Sequence, residues 1–198
     1  MKRKTFWMYT VLVALCGLSI SAVVGWNRHQ EGPGQITTAA WKEKYGTAEE
    51  LVKRVDTIVL AEAVSSMPGR VAYSSNGEDS LPFEVVEFRV IEGLKGAKEG
   101  QQVLVERAGG TDNEGRAVHV DIDGGEFEKG GTYLLFLKQQ EDGPYFYQVN
   151  DQGRYQVSGG RLKGVALDDD PVAAVFQDRP VTEGLQLVKR SRGLNVEP

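Results

Sequence analysis

Between Thr57 and Val157 apolar residues recur with a period of two, and no helical period is interleaved. In "FEVVEFRVIEGLKG" (residues 83–96), Val86, Phe88 and Val90 fall on one side of an extended chain, and Glu87, Arg89 and Ile91 on the other. Side chains of a strand alternate between faces, so this stretch reads as a strand with one buried and one largely wet face. Gly93 and Gly96 end it, and Lys95 is expected to point to solvent. "QQVLVERAGG", "AVHVDID" (Val118, Val120 and Ile122 inward) and "GGTYLLFLKQQ" repeat the strand signal. "TIVLAEAV" (57–64) is nearly all apolar, as a central strand would be. "PYFYQVN" and "GRYQV" are expected to pair as a hairpin around Asp151–Gly153. The stretch 65–82 carries Pro68-Gly69 and Asn76-Gly77, which predict a loop or an irregular hairpin. Six to seven short strands joined by glycine turns predict a mainly β domain, an antiparallel barrel or sandwich.

Helical signals flank the strands. "TAEELVKRV" places Thr47 three residues before Glu50, a capping box, with Leu51, Val52 and Val55 on one apolar face. After the strands the period changes. Thr182 is expected to cap a terminal helix in which Leu185 and Val188 pack back on the β body, with Lys189, Arg190 and Arg192 near its C-terminal end. The expected organisation is a leader over 1–26, a linker over 27–46, a β-barrel domain over 47–165 and a C-terminal extension over 166–198. The linker is interrupted by Gly32-Pro33-Gly34, with a short helix expected around Ala39–Lys44.

The leader opens on Lys2, Arg3 and Lys4 and then runs uncharged from Thr5 through Asn27. From Phe6 to Trp26 the chain would span about 31 Å as a helix, enough to cross a hydrocarbon core. The preceding cations put the N-terminus on the cytoplasmic side, and Trp7, Tyr9 and Trp26 stand where interfacial aromatics sit. This favours a single-pass membrane anchor over residues 6–26, with the C-terminal domain outside the cytoplasm. The alternative is a signal peptide cleaved after Ser19-Ile20-Ser21, leaving a secreted domain. Leu15 before Cys16 does not fit a lipidation site, which needs a small residue there.

Cys16, in the leader, is the one cysteine of the chain, so the β body carries no disulfide and no thiol. With 23 basic against 28 acidic residues, the net charge of -5 lacks the basic footprint of a nucleic-acid binder.

Two motifs stand out: a strand ending at Val90–Gly96, and F-x-x-G-x-x-Y-L-x-F over Phe127–Phe136. Their order resembles a group of exported bacterial domains over roughly Glu49 to Val157, similar to the netrin-like modules of tissue inhibitors of metalloproteinases. The resemblance implies an OB-type barrel. Those inhibitors chelate a target zinc through an N-terminal cysteine, and this chain offers no such residue, so the inhibitory chemistry is not implied.

Candidate chemistry is sparse. His119, Asp121 and Asp123 share one face of a strand, with Glu126 after the turn, and oxygen ligands at that spacing suit a hard cation. No twelve-residue calcium loop accompanies them, and an outward, solvated set explains them as well. Asp168 to Asp170 read as a solvated acidic turn, with capping of the helical turn that follows as the alternative. Tyr133, Tyr145, Phe146, Tyr147 and Tyr155 form an aromatic group. Exposed, they would make a stacking surface for a partner; buried, they are core. No nucleophile elbow, His/Cys cluster or phosphate loop appears, and no cofactor is expected. The expectation is a noncatalytic envelope protein whose barrel binds a protein, peptide or glycan. Two alternatives stand beside it: a protease inhibitor acting through the loop Ser65–Leu81, and a small metal-dependent hydrolase using His119, Asp121 and Asp123.

Overall fold

Thr47 starts the first helix as its spacing predicts. In the computed structural model, which describes residues 44–74, 80–112, 114–118, 120, 125–141, 143–165 and 170–193, helix α1 spans Ala48–Arg54. The Thr47 hydroxyl accepts from the Glu50 N–H at 3.1 Å, while the Glu50 carboxylate accepts from the Gly46 N–H at 3.2 Å, one residue before the usual capping-box partner. Leu51, Val52 and Val55 are buried, as expected. The leader, residues 27–43 of the linker, His119, Asp121, Asp123, Asp168 and Asp169 lie outside the described residues. The helix expected around Ala39–Lys44 does too, apart from Lys44.

The fold is mainly β. Among the described residues nine strands follow α1: β1 Thr57–Tyr73, β2 Ser80–Lys95, β3 Gln102–Ala108, β4 Gly110–Thr111, β5 Ala117–Val118, β6 Thr132–Gln139, β7 Tyr145–Gln148, β8 Arg154–Ser158 and β9 Arg161–Gly164. Seven form one sheet in the order β1-β2-β3-β7-β6-β8-β9, and β4 and β5 form a separate ribbon. β1 also pairs with β6, Thr57 opposite Leu137 through Glu62 opposite Thr132. The pairings β1-β2-β3-β7-β6 therefore return to β1. A circuit with an odd number of strands cannot alternate direction all the way round, so one neighbouring pair must be parallel. That pair is β3–β7, with Leu104 opposite Tyr145 and Val105 opposite Phe146. The expected all-antiparallel sheet is thus corrected to a mixed one.

The two faces of the strands bury separate clusters. Val59, Val86, Phe88, Val105, Tyr133 and Leu135 pack in one. Ile58, Leu60, Leu134 and Phe136, from the opposite faces of β1 and β6, pack against Leu51 and Val52 of α1 and against the C-terminal helices. Both faces of β1 and β6 are covered over these stretches, which is why their sequences are apolar without alternation. A small third cluster joins Phe83, Ala108 and Val120.

Three expectations are corrected here. β7 and β8 do not pair with each other; both run antiparallel along the same edge of β6, Gln148 opposite Leu137 and Arg154 opposite Leu135. Residues 149–153 bulge out between them in a 3-10 turn at Asp151–Gly153, after which β8 turns to β9 for its second partner. Thr182 does not cap the terminal helix. That helix, α3, spans Val181–Ser191 behind Pro180, and no side chain caps it; Thr182 lies in its first turn. Lys95 does not point to solvent. Its ammonium donates to the carbonyls of Val52, Lys53 and Val55, because β2 ends beneath the C-terminus of α1, whose last carbonyls lack intrahelical partners.

One other expectation holds, and so does the capping alternative for Asp170. Leu185 and Val188 of α3 are buried beside Val172 and Phe176, the latter in the short helix α2 Ala173–Phe176, in the same cluster as α1. Asp170 caps the start of α2, its Oδ1 accepting from the N–H groups of Val172 at 2.8 Å and Ala173 at 3.0 Å.

Candidate functional site

The stretch carrying Pro68-Gly69 resolves as hairpin rather than loop. β1 and β2 stay paired from Ile58 opposite Lys95 out to Tyr73 opposite Ser80; Asn76 and Gly77 lie outside the described residues. Pro68-Gly69 marks no turn: the register shifts between Pro68 and Val71, a bulge inside a strand pair.

β1 has two edges of different lengths. The edge facing β2 is occupied to Tyr73, while the edge facing β6 is occupied only to Glu62. Backbone bonds between Ala63 and the Gly130-Gly131 pair, 2.7 and 2.9 Å, close that second edge. From Val64 to Ala72 the edge has no backbone partner among the described residues. Val64 and Met67 project there exposed, at 36% and 43%, and Tyr73 at its end is 60% exposed. The neighbouring polar groups are already engaged. Ser65 donates to Glu87 at 2.8 Å. Arg70 lies 4.4 Å over the Phe83 ring and donates through Nε to the buried Glu106 carboxylate, which also accepts from Gln140. A strand edge left open by the described residues, with exposed apolar side chains, can add one extended strand, while Pro68 within it and the bulges at Ala63/Ser65 and Pro68/Val71 resist indiscriminate pairing.

The aromatic group divides by residue. Tyr133 and Tyr155 are fully buried, in different clusters, and form no surface. Tyr145, Phe146 and Tyr147 are half-buried on β7, between β3 and β6. Glu126, expected beside the metal candidates, accepts at its carbonyl from Arg154 and lies 3.7 Å from Arg107 through its carboxylate. Among the described residues no three His, Cys, Asp or Glu side chains gather as a metal-binding group.

Both quoted motifs turn out to hold the fold. Phe127 and Tyr133 pack edge-on against each other and against Phe88, with centroids 5.0–6.0 Å apart. The Tyr133 hydroxyl accepts from the Glu128 N–H at 2.8 Å. Arg154 stacks 3.9 Å from the Phe127 centroid and donates to the carbonyls of Gly125 and Glu126, at 2.8 and 2.7 Å. Burial lowers its pKa from the ordinary arginine value, against the raising effect of Tyr133. In the other motif Leu94 is buried and Lys95 caps α1. Sequence reasoning did not single out Arg154, Gln152, Val64 or Met67. The signal for the last two was present: apolar residues persist through Val71 across a stretch whose Pro-Gly pair suggests a turn.

No protein-family model matches the chain, and no curated protein matches it. Among the described residues no helix is long and apolar enough to cross a membrane.

Proposed function

We propose that this is a noncatalytic protein of the cell envelope, tethered through residues 6–26 or released by cleavage, whose OB-type barrel offers the free edge of β1 to an extended peptide segment of a partner. A five-strand circuit whose one parallel pair joins its third and fifth strands in chain order is the pairing pattern of an OB barrel. It agrees with the netrin-like resemblance of the two motifs. The observation that carries the binding role is the edge from Val64 to Ala72, without a backbone partner among the described residues, beside exposed Val64 and Met67. Backbone groups that face away from β2, interrupted at Pro68, match a peptide backbone better than a sugar, and the two side chains supply apolar contact.

The test is selection of random displayed peptides on the purified full chain. Enriched peptides should slow hydrogen exchange of amides between residues 64 and 72 and lose binding to Val64→Lys and Met67→Lys. Failure to enrich any peptide, or protection confined to other segments, overturns the role of the edge. Finding the intact chain in the soluble cytosol overturns the envelope part.

A further inference from the structure

The C-terminal ends of α1 and α3 both lie against the end of β2, at one corner of the domain: Lys95 reaches the last carbonyls of α1, and Lys189 of α3 holds Glu92 at 2.7 Å. Cations at such ends ordinarily answer the terminal carbonyls and the negative end of the helix dipole. At α1 that need is already met. Lys95 donates to Val52, Lys53 and Val55 at 3.0, 2.9 and 2.5 Å, and Lys138 donates to the Arg54 carbonyl at 3.1 Å. The side chains of Lys53 and Arg54 are therefore surplus to capping, and both residues are exposed. Arg192, just past α3, is exposed too.

None of these three has a carboxylate within ion-pair distance among the described residues; Lys98, Lys129 and Arg190 have none either, while Arg89 pairs with Glu62 at 2.6 Å, Arg116 with Asp112 at 2.8 Å and Lys44 with Asp170 at 3.1 Å. The acids at the corner are few. Glu92 is held by Lys189 at 2.7 Å, and Asp56 lies 3.9 Å from Lys138 while accepting from the Gln139 N–H. Burial first, then the charges of Arg192 and Lys138, lower the pKa of Lys95 against the opposing pull of Asp56. Like charges are thus crowded here on a chain whose net charge is -5. Such crowding opposes folding unless an outside anion offsets it.

The charges come from helix ends and strands around an exposed corner and so form a surface. Under the envelope reading, on which this inference rests, residues 27–43 connect the domain to the bilayer. Extended, that stretch reaches at most about 60 Å, enough for the corner to face the lipid. We propose that the corner rests on a bilayer surface rich in anionic phospholipid, orienting the tethered domain with the C-terminal ends of α1 and α3 toward the membrane.

The test reconstitutes the full chain into nanodiscs of phosphatidylcholine alone or mixed with phosphatidylglycerol, and reads hydrogen exchange in the last turn of α3. Exchange should be about threefold slower or more in the anionic discs. The slowing should disappear at about 0.5 M salt, where screening is nearly complete, and in the double variant Lys53→Glu, Arg192→Glu, whose exposed positions leave folding intact by circular dichroism. Equal exchange in both discs, or slowing indifferent to salt and to the variant, overturns the proposal. Slowing by soluble polyphosphate without any effect of anionic lipid also overturns it, in favour of a dissolved polyanion. If the chain fails to enter discs, the anchor reading fails separately. Flotation with preformed vesicles then decides: binding to anionic but not neutral vesicles, lost in the variant, supports the corner, and flotation with neither overturns it.

Discussion

The carboxamide of Gln152 donates to both carboxylate oxygens of Asp170, at 3.1 and 2.9 Å, across 18 positions of sequence. The same carboxamide accepts from the Tyr45 N–H at 2.9 Å and donates to the Tyr45 carbonyl at 3.0 Å. Lys44 adds an ion pair to Asp170 at 3.1 Å. One buried pair thereby fastens the stretch just before α1 to the stretch that starts α2. Replacing Gln152 with Ala strips partners from a buried carboxylate and from buried backbone. It should cost about 2–3 kcal/mol in urea unfolding, and hydrogen exchange at Tyr45 should quicken by more than the global loss explains.

The same site sets an acid limit. Desolvation pushes Asp170 upward, but hydrogen bonds from the Ala173 N–H, Lys44, Gln152 and the Val172 N–H outweigh it and hold its pKa below the ordinary aspartate value. A carboxylate with a depressed folded pKa contributes stability that is present above its unfolded pKa, about 3.9, and lost as pH falls through the folded one. Stability measured from pH 7 downward should therefore drop below about pH 4. Asp170→Asn should be less stable at pH 7 and show a shallower fall there. An unchanged slope would mean that other carboxylates govern the acid limb.

These features differ in how far local sequence reveals them. Thr47 with Glu50, and Val86, Phe88 and Val90, were legible because caps and strand faces are set within a few residues. The division of β7 from β8 was not, since it depends on β3 needing a parallel partner to complete the circuit. Lys95 was misread because the carbonyls it caps lie 40 or more positions earlier. The free edge of β1 was hidden for a related reason. Pro68-Gly69 is a turn signal locally, but the long pairing with β2 absorbs it as a bulge, and the short reach of β6 leaves the other edge without a partner among the described residues.

Arg154 joins two elements through its planar head: one face stacks on Phe127, and Nη1 and Nη2 reach the Gly125 and Glu126 carbonyls. A lysine carries the charge without the plane or the fork. Arg154→Lys should lose about 1–2 kcal/mol and Arg154→Ala about 3 kcal/mol in denaturant midpoints. Backbone exchange of residues 125–128 should rise in both. Equal stability of the lysine variant and the native chain would show that stacking contributes nothing.

Gly96 and Gly100 have nearly the same backbone, φ +72° and +77°, but different surroundings. A Cβ at Gly100 meets nothing within 4 Å, whereas at Gly96 it would overlap the Asp56 carbonyl and lie 2.6 Å from Thr57 Oγ1. Gly100→Ala should cost about 1 kcal/mol, the left-handed backbone penalty alone. Gly96→Ala should cost at least twice as much, because the turn after β2 must move away from Asp56 and the start of β1. Equal losses would mean that the start of β1 yields freely.

Tyr155 tests the opposite sign. Its ring is fully buried, with Phe136 and Phe176 centroids 6.1 and 5.1 Å away, yet its hydroxyl has no hydrogen-bond partner among the described residues. Burial first, then the charges of Asp170 and Asp151, raise its pKa beyond the ordinary tyrosine range. A buried hydroxyl without a partner forfeits its hydration and gains nothing in return. Tyr155→Phe keeps the ring contacts and removes that penalty, so thermal unfolding should show a chain as stable as the native one or up to about 1 kcal/mol more stable. Tyr155→Leu, which loses the ring, should be destabilised by about 1–3 kcal/mol through lost packing. Were Tyr155→Phe to lose stability instead, the hydroxyl would have to be bonded in solution, with a trapped water as its partner.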